Sequence, residues 1–133
     1  HYLEEFKYIC MHVPFPKMVF KAAKRLGEYC GWDQNEIQRQ YEKKIYSTMQ
    51  WNQQVGNAYT ASLWLSVANA LTHLDANEQF IAFSYGSGCG AELLTLKCTA
   101  NQADAAWQQQ LMTDLATRQF IDAQFYQSIR DKQ

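Results

Sequence analysis

The stretch FIAFSYGSGCGAE, residues 80–92, decides how the rest of the chain is read. Its first four residues, Phe80-Ile81-Ala82-Phe83, form a short aromatic and β-branched run, which predicts a buried strand. Ser84-Tyr85 leads into Gly86-Ser87-Gly88-Cys89-Gly90, and a second apolar run, Leu93-Leu94-Thr95-Leu96, follows. The pattern is strand, glycine-rich loop, strand. Glycines around a serine let the backbone approach a ligand closely, with N–H groups pointing at it. A plain glycine-rich hairpin turn accounts for the same residues.

Working outward, Tyr8-Ile9-Cys10-Met11-His12-Val13 predicts another buried strand, and Pro14-Phe15-Pro16 stops it, because proline cannot donate to a ladder and restricts its predecessor. His12 therefore falls at a strand's carboxyl end. Pro16 suits the first turn of a helix. Residues 17–30 carry Val19, Ala22, Ala23, Leu26 and Cys30 at helical spacing, with Lys17, Lys21, Lys24, Arg25 and Glu28 on the other side. Gly31 fits the position after a helix end, and Asp33 with Glu36 makes a capping box for a polar helix from Gln34 to about Thr48. Residues 60–74 are apolar almost all round, which predicts a central, buried helix, and Gly56-Asn57 sits before its N-terminus. Residues 102–117 and 121–131 predict two more helices. The predicted order is β-α-α-α-β-β-α-α: an α/β chain with few strands for its helices, hence an incomplete mixed sheet flanked by helices.

Composition narrows the function. A chain of 133 residues with 47% hydrophobic content and a net charge of −1 is expected to be one domain, residues 1–133. The near-neutral balance argues against nucleic acid or a polybasic membrane contact, and no apolar run approaches the ~20 residues that span a bilayer. Cys10, Cys30, Cys89 and Cys98 form no C-x-x-C pair and share no metal-ligand spacing with the histidines, so reduced thiols in a cytoplasmic protein without a metal site are expected. The chain opens directly into core-like sequence and reads as a piece of something longer.

Three features gather where α/β proteins place ligands, at the carboxyl ends of strands and the N-termini of helices: His12, Asn57 and the loop at Ser87. An imidazole, a carboxamide and backbone N–H groups are together suitable donors for a carbonyl that gains negative charge. Each has a plainer account as well: a structural histidine, a Gly-Asn turn, a glycine turn. The basic face from Lys17 to Arg25 is ordinarily solvated, though it could meet phosphate.

Read in order, Met11-His12-Val13-Pro14-Phe15-Pro16-Lys17-Met18, then Val55-Gly56-Asn57-Ala58-Tyr59-Thr60-Ala61-Ser62-Leu63, then Phe83-Ser84-Tyr85-Gly86-Ser87-Gly88, resemble the C-terminal half of the 3-hydroxy-3-methylglutaryl-CoA synthase family. The resemblance implies a thiolase-like layered fold built from two similar halves. It also implies a Claisen condensation of acetyl-CoA with acetoacetyl-CoA in the mevalonate route to isoprenoids. A cysteine takes the acetyl group, a glutamate removes a methyl proton, the carbanion attacks the acceptor ketone, and water releases the product. On this resemblance His12 is catalytic and polarises the acceptor carbonyl, Asn57 supports the bound acetoacetyl group, and the backbone of Ser87 contributes to an oxyanion hole flanked by Gly86 and Gly88. Tyr85 lines the site and Lys17 is a candidate for contact with CoA. CoA thioesters are then substrates, with no prosthetic group, and the family's homodimer is the expected assembly.

The cysteine nucleophile and the glutamate are expected in an N-terminal half that this sequence lacks, because none of the four cysteines stands in a matching motif. The chain alone is therefore expected to be inactive. Two alternatives stay open. One is a polyketide β-branching synthase acting on carrier-protein-bound acyl chains, from which Pro16-Lys17 points away. The other is a non-catalytic scaffold of the same fold, which would need none of His12, Asn57 and the glycine loop.

Overall fold

The computed structural model describes residues 2–86, 88–100 and 106–131. The predicted hairpin is formed by β2 (Gln79–Tyr85) and β3 (Ala91–Lys97), antiparallel with Phe80 opposite Leu96 and Ser84 opposite Glu92. The first strand, β1 (Tyr8–Met11), pairs parallel with β2, Tyr8 beside Phe80 and Met11 beside Phe83. Among the described residues the sheet is three-stranded in the order β1-β2-β3. Parallel neighbours need a long crossover, and everything from residue 12 to 78 supplies it.

Alternation along β1 and β2 feeds two cores, one on each face of the sheet. Ile9, Met11 and Ile81 pack with Val19 and Ala23 of α1 (Pro16–Tyr29), and with Tyr41, Ile45 and Met49 of the following helical stretch. Cys10, Phe80 and Ala82 pack on the other side with Leu63, Val67 and Ala70 of α4 (Ala61–Leu71), and with Leu74. Each fully buried aliphatic side chain of this kind contributes roughly 1.5–3 kcal/mol. Pro16 begins α1 as expected, and Gly31 follows its end with φ +74°, a conformation that favours glycine. Gly27 lets α1 lie close to the next helix: a Cβ there would collide with the Ile37 side chain.

The second helix is longer than the sequence predicts. Asp33 caps α2 (Gln34–Gln40) by accepting the Glu36 N–H at 2.8 Å. The chain then winds as a π turn (Tyr41–Ile45), a 3₁₀ turn (Tyr46–Met49) and α3 (Gln50–Val55). The cause lies in the spacing. Ile37, Tyr41, Ile45 and Met49 recur strictly every fourth residue and all are buried. A regular α-helix would rotate such a stripe by about 40° per step, and the wider π turn takes up that drift. The amide-rich segment before Val55 is thus helical, with Trp51 and Asn52 buried.

The helix α4 also departs from expectation. It is buried on one side only, and that side carries Ser62, Ser66 and Asn69 beside its apolar residues, while Trp64 is 57% exposed. Leu93 and Leu94 of β3, on opposite faces of the sheet, are 55% and 40% exposed.

These elements lie in a unit comprising His1–Ala103; Asp104–Gln133 forms a second unit. The second contains α5 (Ala106–Ala116) and α6 (Ala123–Arg130), neither with a buried residue. The Asp122 carboxylate caps α6 by accepting the Phe125 N–H at 2.7 Å. Among the described residues no helix is long and apolar enough to cross a membrane, and no group of histidine, cysteine and carboxylate residues could hold a metal ion.

Candidate active site

His12 follows the last residue of β1, as the Pro14-Phe15-Pro16 stop requires. Its N–H donates to the Phe83 carbonyl at 2.9 Å, carrying the parallel ladder one residue past the strand. Because β1 and β2 run parallel, their carboxyl ends lie together and bring His12 to Tyr85. The two rings are 5.0 Å apart between centroids and meet edge to face at 69°. The half-buried His12 opens into a cleft of about 350 Å³ that is also lined by Met18, Lys21, Phe83 and Tyr85. Lys21 lies one helical turn beyond Lys17. It is therefore Lys21 that shares the cleft with His12, while Lys17 is exposed and lines none of the clefts described for this region.

Asn57 lies in the turn before α4, after Gly56 with φ +79°. Its Oδ1 accepts the Tyr59 N–H at 3.1 Å, the side-chain hydrogen bond of an Asx turn. Asn57 lines a second cleft, of about 260 Å³, with Val13, Pro14, Phe15, Pro16, Asn52, Gln53 and Gly56. His12 and Asn57 therefore line separate clefts with no lining residue in common, although Met11-His12 of the first and Val13–Pro16 of the second are consecutive in the chain. Tyr59 has φ +50°, a backbone conformation uncommon for an aromatic residue, and its ring is 77% exposed.

Tyr85 and Gly86 line a third, open concavity with Thr60, Ser84, Gly90, Ala91 and Glu92. The Gly86 N–H is spent on closing the hairpin, donating to the Gly90 carbonyl at 2.8 Å. Ser87 lies outside the described residues. A Cβ at Gly86 or Gly88 would meet nothing within 4 Å, and among the described residues of the turn the left-handed one is Cys89, at φ +57°. The folding of this chain alone therefore does not demand glycine at 86 or 88.

Beneath His12 lies a polar network that reading the sequence missed. The Ser62 hydroxyl donates to the Tyr59 carbonyl at 2.7 Å and accepts the Val13 N–H at 3.0 Å. The same oxygen is 3.5 Å from His12 Nδ1. Asn52 Nδ2 donates to the Ser62 carbonyl at 2.6 Å, and Asn52 Oδ1 accepts the Ser66 hydroxyl at 3.0 Å. Ser62, Ser66 and Asn52 are all buried. The available signal was Ser62, Ser66 and Asn69 at helical spacing inside an otherwise apolar helix.

All four cysteines are free thiols, Cys10 and Cys98 buried, Cys30 partly so and Cys89 exposed. Burial pushes the Cys10 thiol up to about 12, which leaves no thiolate for nucleophilic work near neutral pH. Glu92 is exposed.

Residues 33–132 match the family described as hydroxymethylglutaryl-coenzyme A synthase C terminal. The hydroxymethylglutaryl-CoA synthase of Enterococcus faecalis is 36% identical over 91 residues, which cover 65% of this chain and 23% of that protein. The HMG synthase of the curacin biosynthetic pathway superposes with a TM-score of 0.85 at 30% identity, over 96% of this chain and 32% of its own; it has also been solved with an acetyl donor-ACP. An HMG-CoA synthase complexed with CoA superposes with a TM-score of 0.59 at 25% identity, over 91% of this chain and 34% of its own. The three-stranded mixed sheet and its flanking helices are thus part of a thiolase-like layered fold. The chain spans about a third or less of the length of the relatives it matches.

Proposed function

This chain belongs to the hydroxymethylglutaryl-CoA synthase family, and on that basis we propose that it supplies the acceptor side of a Claisen-condensing active site joining acetyl-CoA to acetoacetyl-CoA. The supporting observation is the pairing of His12 and Tyr85 at the adjacent carboxyl ends of parallel strands, 5.0 Å apart at the mouth of a cleft. Attack on a ketone puts negative charge on its oxygen, and a positioned imidazole donor stabilises that charge more than it stabilises the neutral ketone. His12 takes that role, with Tyr85 as a wall of the cleft. Asn57, in the cleft lined by Val13–Pro16, holds the acceptor's acyl group. The Ser87 N–H, framed by Gly86 and Gly88, serves the oxyanion of the donor thioester. Lys17, with Lys21 one turn on, meets the phosphates of CoA.

The nucleophilic cysteine and the methyl-deprotonating glutamate belong to a partner half outside this sequence, so the 133 residues alone do not turn over. CoA thioesters are substrates, no prosthetic group or metal takes part, and the complete enzyme is a cytoplasmic homodimer in isoprenoid synthesis. The test is His12→Ala in the complete protein. Loss of one such donor is expected to lower the condensation rate by about 10²–10³. An unchanged rate would refute the assignment and favour a scaffold role.

A second reading has its own support. The structural likeness to the curacin-pathway synthase is closer than to the CoA-bound enzyme, and the cationic face of α1 suits an acidic carrier protein as well as CoA phosphates. Comparing free CoA thioesters with carrier-tethered acyl chains as substrates of the complete protein decides between them.

A further inference from the structure

We propose that Ser62 is a positioning residue for His12: its hydroxyl holds the imidazole in the Nδ1–H tautomer and leaves Nε2 facing the cleft. The proposal rests on the role given to His12 above, and it concerns a residue to which no role is assigned there.

The argument is a count of one proton. A serine hydroxyl has one proton to donate and two lone pairs. The Tyr59 carbonyl is an acceptor only and stands 2.7 Å from Ser62 Oγ, so the proton goes there. The Val13 N–H is a donor only and takes one lone pair at 3.0 Å. What remains facing His12 Nδ1 at 3.5 Å is the second lone pair. A bare Nδ1 would set two acceptors against each other, whereas Nδ1–H completes the set. The contact is at the long limit for a hydrogen bond, as contacts in ligand-free sites often are before substrate tightens them.

Ser62 is well placed to act as a clamp. It is fully buried on α4, and Asn52 fixes its carbonyl from α3. Its oxygen grips both the backbone next to His12 and the ring of His12, while Tyr85 bounds the ring from β2. The chemical consequence is specific. With Nδ1 committed inward, the neutral ring offers only a lone pair at Nε2, so the donor role given to His12 above falls to the imidazolium, which carries a proton on Nε2. Lys21 of α1 and Tyr85 of β2 are the titratable neighbours that line the same cleft.

The test is ¹⁵N-histidine NMR on the full chain, with His1 and His73 as internal references. Long-range ¹H–¹⁵N correlations are recorded on the alkaline side of the His12 titration, where the ring is neutral. The expected result is His12 predominantly Nδ1–H in the wild type, a shift toward the ordinarily preferred Nε2–H form in Ser62→Ala, and retention of Nδ1–H in Ser62→Thr, which keeps the hydroxyl. An Nε2–H wild type overturns the proposal, and so does a Ser62→Ala spectrum with the wild-type tautomer. If Ser62→Ala does not fold, the wild-type spectrum still decides. The readout needs no catalysis, so failure of the condensation role of His12 would be a separate result from failure of the clamp.

Discussion

Asn52→Ala should destabilise the chain by about 2 kcal/mol, and the structure shows why the cost is neither trivial nor catastrophic. Asn52 makes two buried hydrogen bonds, donating to the Ser62 carbonyl at 2.6 Å and accepting the Ser66 hydroxyl at 3.0 Å. Each such bond contributes about 1 kcal/mol net, and an orphaned buried partner would add about 1–3 kcal/mol. Here neither partner is orphaned. The Ser66 hydroxyl can turn its one proton to the Ser62 carbonyl at 3.3 Å, which satisfies the hydroxyl and gives that carbonyl a donor again. The penalty therefore stays near the sum of two ordinary bonds, plus a small cavity. The assay is urea unfolding followed by circular dichroism, with m required to stay constant. A double-mutant cycle with Ser66→Ala should give a coupling energy of about 1 kcal/mol for the shared bond. A loss under about 0.5 kcal/mol for Asn52→Ala, or strict additivity in the cycle, would refute the hydrogen-bond accounting.

Two further outcomes follow from the protonation chemistry. With its thiol pushed up to about 12 by burial, Cys10 at pH 8 holds about 10⁻⁴ of its population as thiolate. Native-state iodoacetamide labelling read by mass spectrometry should therefore modify exposed Cys89 at least about 10³-fold faster than Cys10; comparable rates would contradict the burial. At the other end of the scale, hydrogen bonds from Arg39 and then Gln40 hold the Glu36 carboxyl down from its usual 4.5 to about 2. A lowered carboxylate pKa contributes stability that is complete above 4.5 and lost as the pH falls toward about 2. The stability gap between wild type and Glu36→Gln should accordingly narrow across that acid window, and a gap that widened on acidification would contradict the assignment.

Much of the architecture was legible because local signals agreed with one another. The run Phe80-Ile81-Ala82-Phe83 and its glycine break specified β2, the turn and β3, and Pro14-Phe15-Pro16 fixed where β1 ends and α1 begins. The Asp33–Glu36 pair marked the start of α2, although only half the capping box forms as drawn. Asp33 does accept the Glu36 N–H, while the Glu36 carboxylate turns to Arg39 and Gln40. The helix running on to Val55 was not legible, because Met49-Gln50-Trp51-Asn52-Gln53-Gln54 has no apolar period. It is held helical by long-range contacts, with Met49 in the sheet-facing core and Asn52 bonded across to α4. Composition could not show that α4 would be one-sided either. Its letters are apolar all round, yet the buried face selects Ser62 and Ser66 while Trp64 is left outside.

That inversion explains what the motifs could and could not disclose about the site. His12, Asn57 and Tyr85 stand beside turn-forming residues, so punctuation in the sequence exposed them, and the parallel register then placed His12 against Tyr85. The groups that set the ring's hydrogen bonding come instead from the interior of a helix and from an amide-rich segment without a pattern. They act through single atoms: one hydroxyl with one proton, one carboxamide with a donor and an acceptor. Burying such groups costs free energy unless every lone pair and proton is matched. The matching among Asn52, Ser62, Ser66, Tyr59 and Val13 is what makes a polar stripe tolerable in a core position. A hydrophobic helix of the same shape would pack the sheet equally well, but it would leave the Val13 N–H buried without an acceptor and His12 Nδ1 without a neighbour. Ser62 and Ser66 of α4 are therefore accounted for by the loop and the Asn52 amide they hold, and the loop by the imidazole it presents to the cleft.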